Sequence, residues 1–181
     1  MSRNWDKYIH KNKYSECQLI TALNAYYCLT GKQYCKQDSQ EYEDLVDLVC
    51  ARNGAAIQIK KVWDILGIET IWGGISLSDL GSEIRLPIEF SVWAKGWGFH
   101  STLIVDYVKK CDAYRITNFK GETSIKGWVF GEDLYKSESF HFHREYESYR
   151  LFGLKGDKNN DTLKRRWKRN RKRFLEEFWE E

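Results

Sequence analysis

Pro87-Ile88-Glu89-Phe90-Ser91-Val92-Trp93 alternates apolar and polar side chains and is rich in β-formers. Here the hydrophobic period of the chain changes from helical spacing to two. Pro87, the single proline, suits the first position of a strand, where a missing N–H matters least. Downstream, Gly96 and Gly98 mark a loop and His100–Val108 reads as the next strand. Lys110-Cys111-Asp112 forms a turn, Tyr114–Asn118 a further strand, and Phe119–Glu122 turns the chain again. Ser139–His143 and Tyr149–Phe152 read as edge strands.

Upstream the pattern is helical. Gln18–Leu29 carries Leu19, Ile20, Leu23, Tyr26 and Tyr27 at helical spacing, with Gly31 as a stop and Ser15 as N-cap. A second helix runs from Ser39 or Gln40 to Arg52 and closes at Asn53-Gly54. A third runs from Ala56 to Leu66 and ends at Gly67. Ile68–Trp72 then reads as a short strand and Leu77–Glu83 as a helical turn. Helices first and an antiparallel sheet second is an α+β order.

At 181 residues the chain is about one domain. Its 42% hydrophobic content supports a core, and its balanced charge excludes wholesale disorder. No run of about 18 apolar residues occurs, which excludes a membrane-spanning helix. The N-terminus lacks the apolar stretch of a signal peptide, so a cytoplasmic location is expected. The five cysteines, Cys17, Cys28, Cys35, Cys50 and Cys111, are odd in number and irregularly spaced, as for thiols in a reducing compartment. None forms a CxxC pair, so no structural zinc site is expected.

Three residues carry candidate chemistry. Cys17 lies in the first turn of the first helix, His100 opens a strand, and Asn118 ends the next one. A helix N-terminus and a neighbouring imidazolium both stabilise a thiolate. An amide oxygen on Asn118 would fix the tautomer of His100, and backbone N–H groups at the helix start would bind an oxyanion. On spacing alone, a buried cysteine acting as a small apolar residue explains Cys17 about as well.

The order of these elements resembles the papain-like clan of cysteine peptidases, and most closely its C39-like members. In that family a Cys opens the central helix and two helices follow, the second after a boundary similar to Arg52-Asn53-Gly54-Ala55-Ala56. A Gly-led strand is matched by Leu66-Gly67-Ile68-Glu69-Thr70, and a Pro-led strand by Leu86-Pro87-Ile88-Glu89-Phe90. The catalytic His corresponds to His100 in Gly98-Phe99-His100-Ser101-Thr102-Leu103-Ile104-Val105. The third catalytic residue corresponds to Asn118 in Ile116-Thr117-Asn118-Phe119-Lys120-Gly121. Gly127-Trp128-Val129-Phe130-Gly131-Glu132-Asp133-Leu134 resembles the closing segment. The resemblance spans Tyr8 to Tyr135.

It implies a papain-like α+β fold, with N-terminal helices on an antiparallel sheet, and a Cys17-His100-Asn118 triad acting on a peptide substrate without metal or organic cofactor. The chain departs from the family at two positions. Lys11, with Asn12 beside it, stands where the family has an oxyanion-binding Gln, and Gln18 stands where Gly commonly follows the Cys. Loss of one oxyanion donor costs about 100–1,000-fold in rate. A second reading therefore stands beside the peptidase. In it the domain is catalytically inactive and serves as a binding or structural component of a phage particle or other assembly, which would place it in a virion.

The remaining features concern organisation. The domain is expected over residues 1–152, a linker over 153–161 and a basic amphipathic helix over 162–181. Thr162–Glu181 holds eight Lys/Arg and four Glu, or +4, while the whole chain is +3; residues 1–161 therefore carry −1. Leu163, Trp167, Asn170, Phe174 and Phe178 line one face of that helix. Lys164, Arg165, Arg166, Trp167, Lys168, Arg169, Arg171, Lys172 and Arg173 suit an acidic protein, a virion component, nucleic-acid phosphates or an anionic surface. A solvated helix packed on the domain has the same pattern. His141 and His143 share a strand face but are too few for a metal. Trp63, Trp72, Trp93, Trp97 and Trp128 read as core or cleft-wall residues, and His10 lies near the position of the missing Gln.

Overall fold

A computed structural model describes residues 3–13, 16–51, 55–56, 59–73, 85–94, 98–118, 126–131, 140–141 and 148–179. Helix α1 spans Cys17–Thr30 and is buried on nearly every side, by Leu19, Ile20, Ala22, Leu23, Ala25 and Tyr27. A helix buried on nearly every side belongs inside a domain, and the others pack about it. Helix α2 (Gln40–Val49) turns Tyr42, Leu45, Val46 and Val49 inward, at the spacing of one helical face. Helix α3 (Ile59–Leu66) does the same with Val62 and Leu66. A two-stranded ribbon, β1 (Cys50–Ala51) with β2 (Ala55–Ala56), joins α2 to α3. The third helix accordingly starts at Ile59, since Ala56 belongs to the ribbon.

The other strands are β3 (Ile68–Gly73), β4 (Ile88–Ala94), β5 (Gly98–Val108), β6 (Ala113–Thr117), β7 (Trp128–Phe130), β8 (Phe140–His141) and β9 (Ser148–Leu154). They form one antiparallel sheet in the order β3-β9-β4-β5-β6-β7, with β8 pairing β4. The architecture is α+β. On one sheet face Ile68, Leu103, Val105 and Phe152 pack against α1, α2 and α3. On the other, Ile71, Ile88, Phe90, Ile104, Ile116 and Leu151 form a second apolar cluster.

Two further expectations need correction. The segment expected as an edge strand at Tyr149–Phe152 is β9, which sits between β3 and β4. The expected linker 153–161 is also structured. Strand β9 runs through Leu154 and helix α4 spans Lys158–Trp179, so Lys155–Asp157 alone joins them. Gly153 reads as flexible in sequence, yet it is a site of close approach. A Cβ there would meet Asn160 Oδ1 and Ile71 Cδ1, each at 2.6 Å.

The early turns of α4 lie on the edge of the sheet. Leu163 is buried in the second cluster. Asn160 donates to Glu69 (2.6 Å) and to the Leu154 carbonyl (2.7 Å), and Lys164 pairs with Glu69 at 2.7 Å. The expected N-cap Ser15 and the expected turn at Leu77–Glu83 lie outside the described residues. No helix among the described residues is long and apolar enough to cross a membrane.

Candidate functional site

Helix α1 begins at Cys17, with Glu16 in the cap position and no side-chain capping bond. Glu16 is buried and accepts a hydrogen bond from the Tyr42 hydroxyl at 3.1 Å, which ties the helix start to α2. The Cys17 side chain is 8% exposed. Burial raises its thiol pKa; hydrogen bonds from the backbone N–H groups of Ser101, Gln18 and Cys17 itself act the other way, and the charge of Glu89 adds to the rise. The net direction is upward, which favours the neutral thiol over the thiolate.

Ser101 is the residue after His100 on β5, the strand on which α1 packs. Strand β6 stops at Thr117, paired with Leu103, so the described pairing leaves β5 without a β6 neighbour at His100 and Ser101. His100 is 7% exposed, and its Nε2 lies 2.8 Å from the backbone carbonyl oxygen of Asn118. A carbonyl only accepts, so Nε2 carries the proton and Nδ1 is the basic nitrogen of the neutral ring.

Asn118 is thus brought to His100, but through its main chain and not through the amide oxygen expected from the sequence. Its φ of +50° lies in the left-handed region, which Asn tolerates better than most residues. That turn ends β6 and presents the carbonyl to the ring. The Asn118 side chain is buried, and its Nδ2 has no hydrogen-bond partner among the described residues.

The two expected oxyanion residues are placed differently. Lys11 is exposed, and its carbonyl accepts from Gln37 Nε2 at 2.7 Å. Asn12 is half-buried, with a buried Oδ1 that finds no partner among the described residues. Neither is hydrogen-bonded to Cys17 among the described residues. His10 packs on Trp5 at 4.3 Å and bonds its carbonyl at 3.0 Å, while the Arg115 guanidinium lies over the same Trp5 ring at 4.3 Å and over Trp128 at 5.6 Å. That stack anchors the N-terminal segment to β6 and β7. Of the other tryptophans, Trp63 packs on Phe152 at 5.6 Å; the side chains of Trp72, Trp93 and Trp97 lie outside the described residues. His141 pairs with Trp93 in the sheet, and no metal-binding group occurs among the described residues.

The basic helix divides along its length. Lys164 is committed to Glu69, and Arg165 donates to the Asp161 carbonyl one turn back at 3.3 Å. Trp167 is half-buried. Arg166, Lys168, Arg169 and Lys172 are exposed, and the side chains of Arg171 and Arg173 lie outside the described residues.

Sequence reasoning missed a hydrogen-bonded group that ties α1 to the sheet: Glu89, Ser101, Thr21 and Arg150. Ser101 Oγ bonds Glu89 Oε1 at 2.7 Å and Thr21 Oγ1 at 3.0 Å, and Arg150 Nη1 donates to Glu89 Oε2 at 2.9 Å. Alternation in β4 reads Glu89 as a solvent-facing position. Its neighbours Ile88 and Phe90 fill the second cluster, but the face opposite is covered by α1.

No protein-family model, curated protein or solved structure matches this chain.

Proposed function

We propose that this chain is a papain-like thiol hydrolase of the C39-like type, acting on peptide or related amide bonds. Cys17 is the nucleophile, His100 the base and Asn118 the residue that holds the ring. The observation that carries this reading is one juxtaposition. Cys17 opens the buried helix α1, which packs on β5, the strand carrying a histidine whose Nε2–H is already committed to Asn118.

The steps follow from that tautomer. Nδ1 takes the thiol proton as the sulfur attacks the substrate carbonyl, which avoids a free thiolate in a buried site. The N–H groups of Cys17 and Gln18 are the donors at hand for the oxyanion. The imidazolium then protonates the leaving amine, and water releases the acyl group from sulfur. Hydrolysis of a casein-type or dye-linked peptide substrate tests the reading, with Cys17→Ser and His100→Ala expected to abolish it. Activity retained in Cys17→Ser would remove Cys17 as the nucleophile.

A second reading is favoured by the burial of the thiol. A cysteine 8% exposed and raised in pKa also suits an inactive domain that binds or builds an assembly. In that reading the exposed cations Lys168, Arg169 and Lys172 of α4 meet an acidic protein, a virion component or nucleic acid. Steep weakening of binding with added salt would mark a phosphate backbone.

A further inference from the structure

Glu89 is 2% exposed in the middle of the sheet, directly beneath α1. A carboxylate so deeply placed demands partners. One oxygen takes the Ser101 hydroxyl and the other takes Arg150, whose guanidinium is 29% exposed and lies over the Trp63 ring at 5.7 Å. Ser101 owns a single hydroxyl proton, and the carboxylate claims it because it can only accept. The Thr21 hydroxyl must then donate to Ser101 across their 3.0 Å contact. The chain of bonds has one direction: Thr21 to Ser101 to Glu89, with Arg150 closing it from the solvent side.

Two links of this chain are neighbours in sequence of the two reactive residues. Thr21 follows Cys17 by four positions, one helical turn along the same face of α1. Ser101 follows His100 on β5, and its backbone N–H is among the groups that lower the Cys17 thiol pKa against burial. We propose that Glu89 is a positioning residue for the Cys17 site: through Ser101 and Thr21 it clamps the first turns of α1 to the strand carrying His100, and it places a carboxylate beneath the helix that carries the sulfur. This rests on the reading of Cys17 as the nucleophile. The clamp fixes where the thiol stands relative to β5, and the charge opposes early loss of its proton until a base removes it.

The charged and titratable groups around Cys17 among the described residues are few. Glu16 on α1 is turned to Tyr42, His100 on β5 to Asn118, and Arg150 on β9 to Glu89. Glu89 on β4 remains the anion whose charge reaches the sulfur.

The test is the pH profile of Cys17 alkylation by iodoacetamide, read by mass on the Cys17 peptide of the full-length protein, across the neutral-to-alkaline range. Glu89→Gln keeps an acceptor for Ser101 but removes the charge. Its midpoint should move to lower pH by about one unit, the size expected for one nearby charge at a protein's effective dielectric. Ser101→Ala keeps the charge and cuts the clamp, which loosens the backbone N–H that lowers the thiol pKa, so its midpoint should move up. Midpoints unmoved in both variants, or moved in the reverse directions, would overturn the proposal. If Glu89→Gln fails to fold, the Ser101→Ala shift decides alone. The profile needs no substrate, so it separates from the hydrolysis assay. Peptide hydrolysis without midpoint shifts would leave the enzyme reading standing and remove the clamp, and shifts without hydrolysis would do the reverse.

Discussion

His100 holds the backbone carbonyl of Asn118 through Nε2 at 2.8 Å, and Asn118 makes this contact from a left-handed φ of +50°. The acceptor belongs to the main chain, so the side chain at 118 is needed for the backbone conformation rather than for the bond. Glycine adopts that conformation without strain.

Asn118→Gly should therefore keep the His100 contact and leave the alkylation rate of Cys17 within a few-fold of the parent protein. Asn118→Val should strain the turn, at a cost of about 1–2 kcal/mol, and disturb the ring. Thermal denaturation and Cys17 labelling of the pair check this. A Gly variant as impaired as the Val variant would return the role to the side-chain amide.

The docking of α4 predicts the outcome of truncation. Removal of residues 153–181 takes away Leu163 from the second core cluster and the partners of Glu69, and it should yield an aggregating or unfolded product. Leu163→Ala is the milder probe and should cost about 2–3 kcal/mol, measured by urea denaturation. A truncated protein as stable as the full chain would show that the helix contributes nothing to the core.

Alkaline pH should weaken the fold. Burial raises the thiol pKa of Cys17 and Cys28, and that of Cys35 to about 11, with the charge of Glu41 adding at Cys35. A group with a raised folded pKa contributes its stability fully below its unfolded pKa, about 8.5–9 for cysteine, and loses it as pH rises through the folded value. The midpoint of thermal unfolding should accordingly fall from about pH 9 upward. Circular dichroism melts across that range test it, and a flat profile would show that these thiols do not resist ionisation.

Acid should act on α4 by the opposite route. The Lys164 hydrogen bond, with that of Asn160, lowers the Glu69 pKa below its ordinary value of 4.5. The stability that Glu69 contributes is present above that value and lost as pH falls below it. Glu69 is partly exposed, and solvent screening keeps the contribution small. Hydrogen exchange should show the first turns of α4 losing protection as pH falls below about 4.5, ahead of α1.

Much of the fold was legible in the residues. Leu19, Ile20 and Leu23 at helical spacing, with Gly31 beyond, mark α1, and Gly31 takes the left-handed φ of +75° that ends it. The alternation from Ile88 to Trp93 marks β4. The central place of β9 was hidden, although Tyr149–Phe152 read as an edge strand, because its partners are distant in sequence: Leu151 and Phe152 are buried between β3 and β4, which no local pattern reveals. Gly153 and Gly156 then resemble a linker, although Gly153 is demanded by the approach of Asn160. At the site, Cys17, His100 and Asn118 were legible as residue types at element ends. Glu89 was not, because a carboxylate alternating with Ile88 and Phe90 reads as solvent-facing until the helix that covers it is known. The main-chain role of Asn118 was hidden too, since a residue letter does not tell which of its atoms makes the bond.

Asn24 has a consequence of another kind. From inside α1 its amide accepts the Ile9 N–H at 2.8 Å and donates to the Ile9 carbonyl at 2.9 Å and to Thr117 at 3.0 Å. One side chain thereby imitates the neighbouring strand that residue 9 lacks. Only a primary amide offers a donor and an acceptor at that separation, and Gln would be one methylene too long. The leading segment that carries Lys11 and Asn12 is in this way cut to length by a helix residue two turns past Cys17. Any redesign of that segment, including a grafted substrate-binding loop or an appended tag, inherits Ile9 as its fixed hinge point and has only the stretch beyond it to vary.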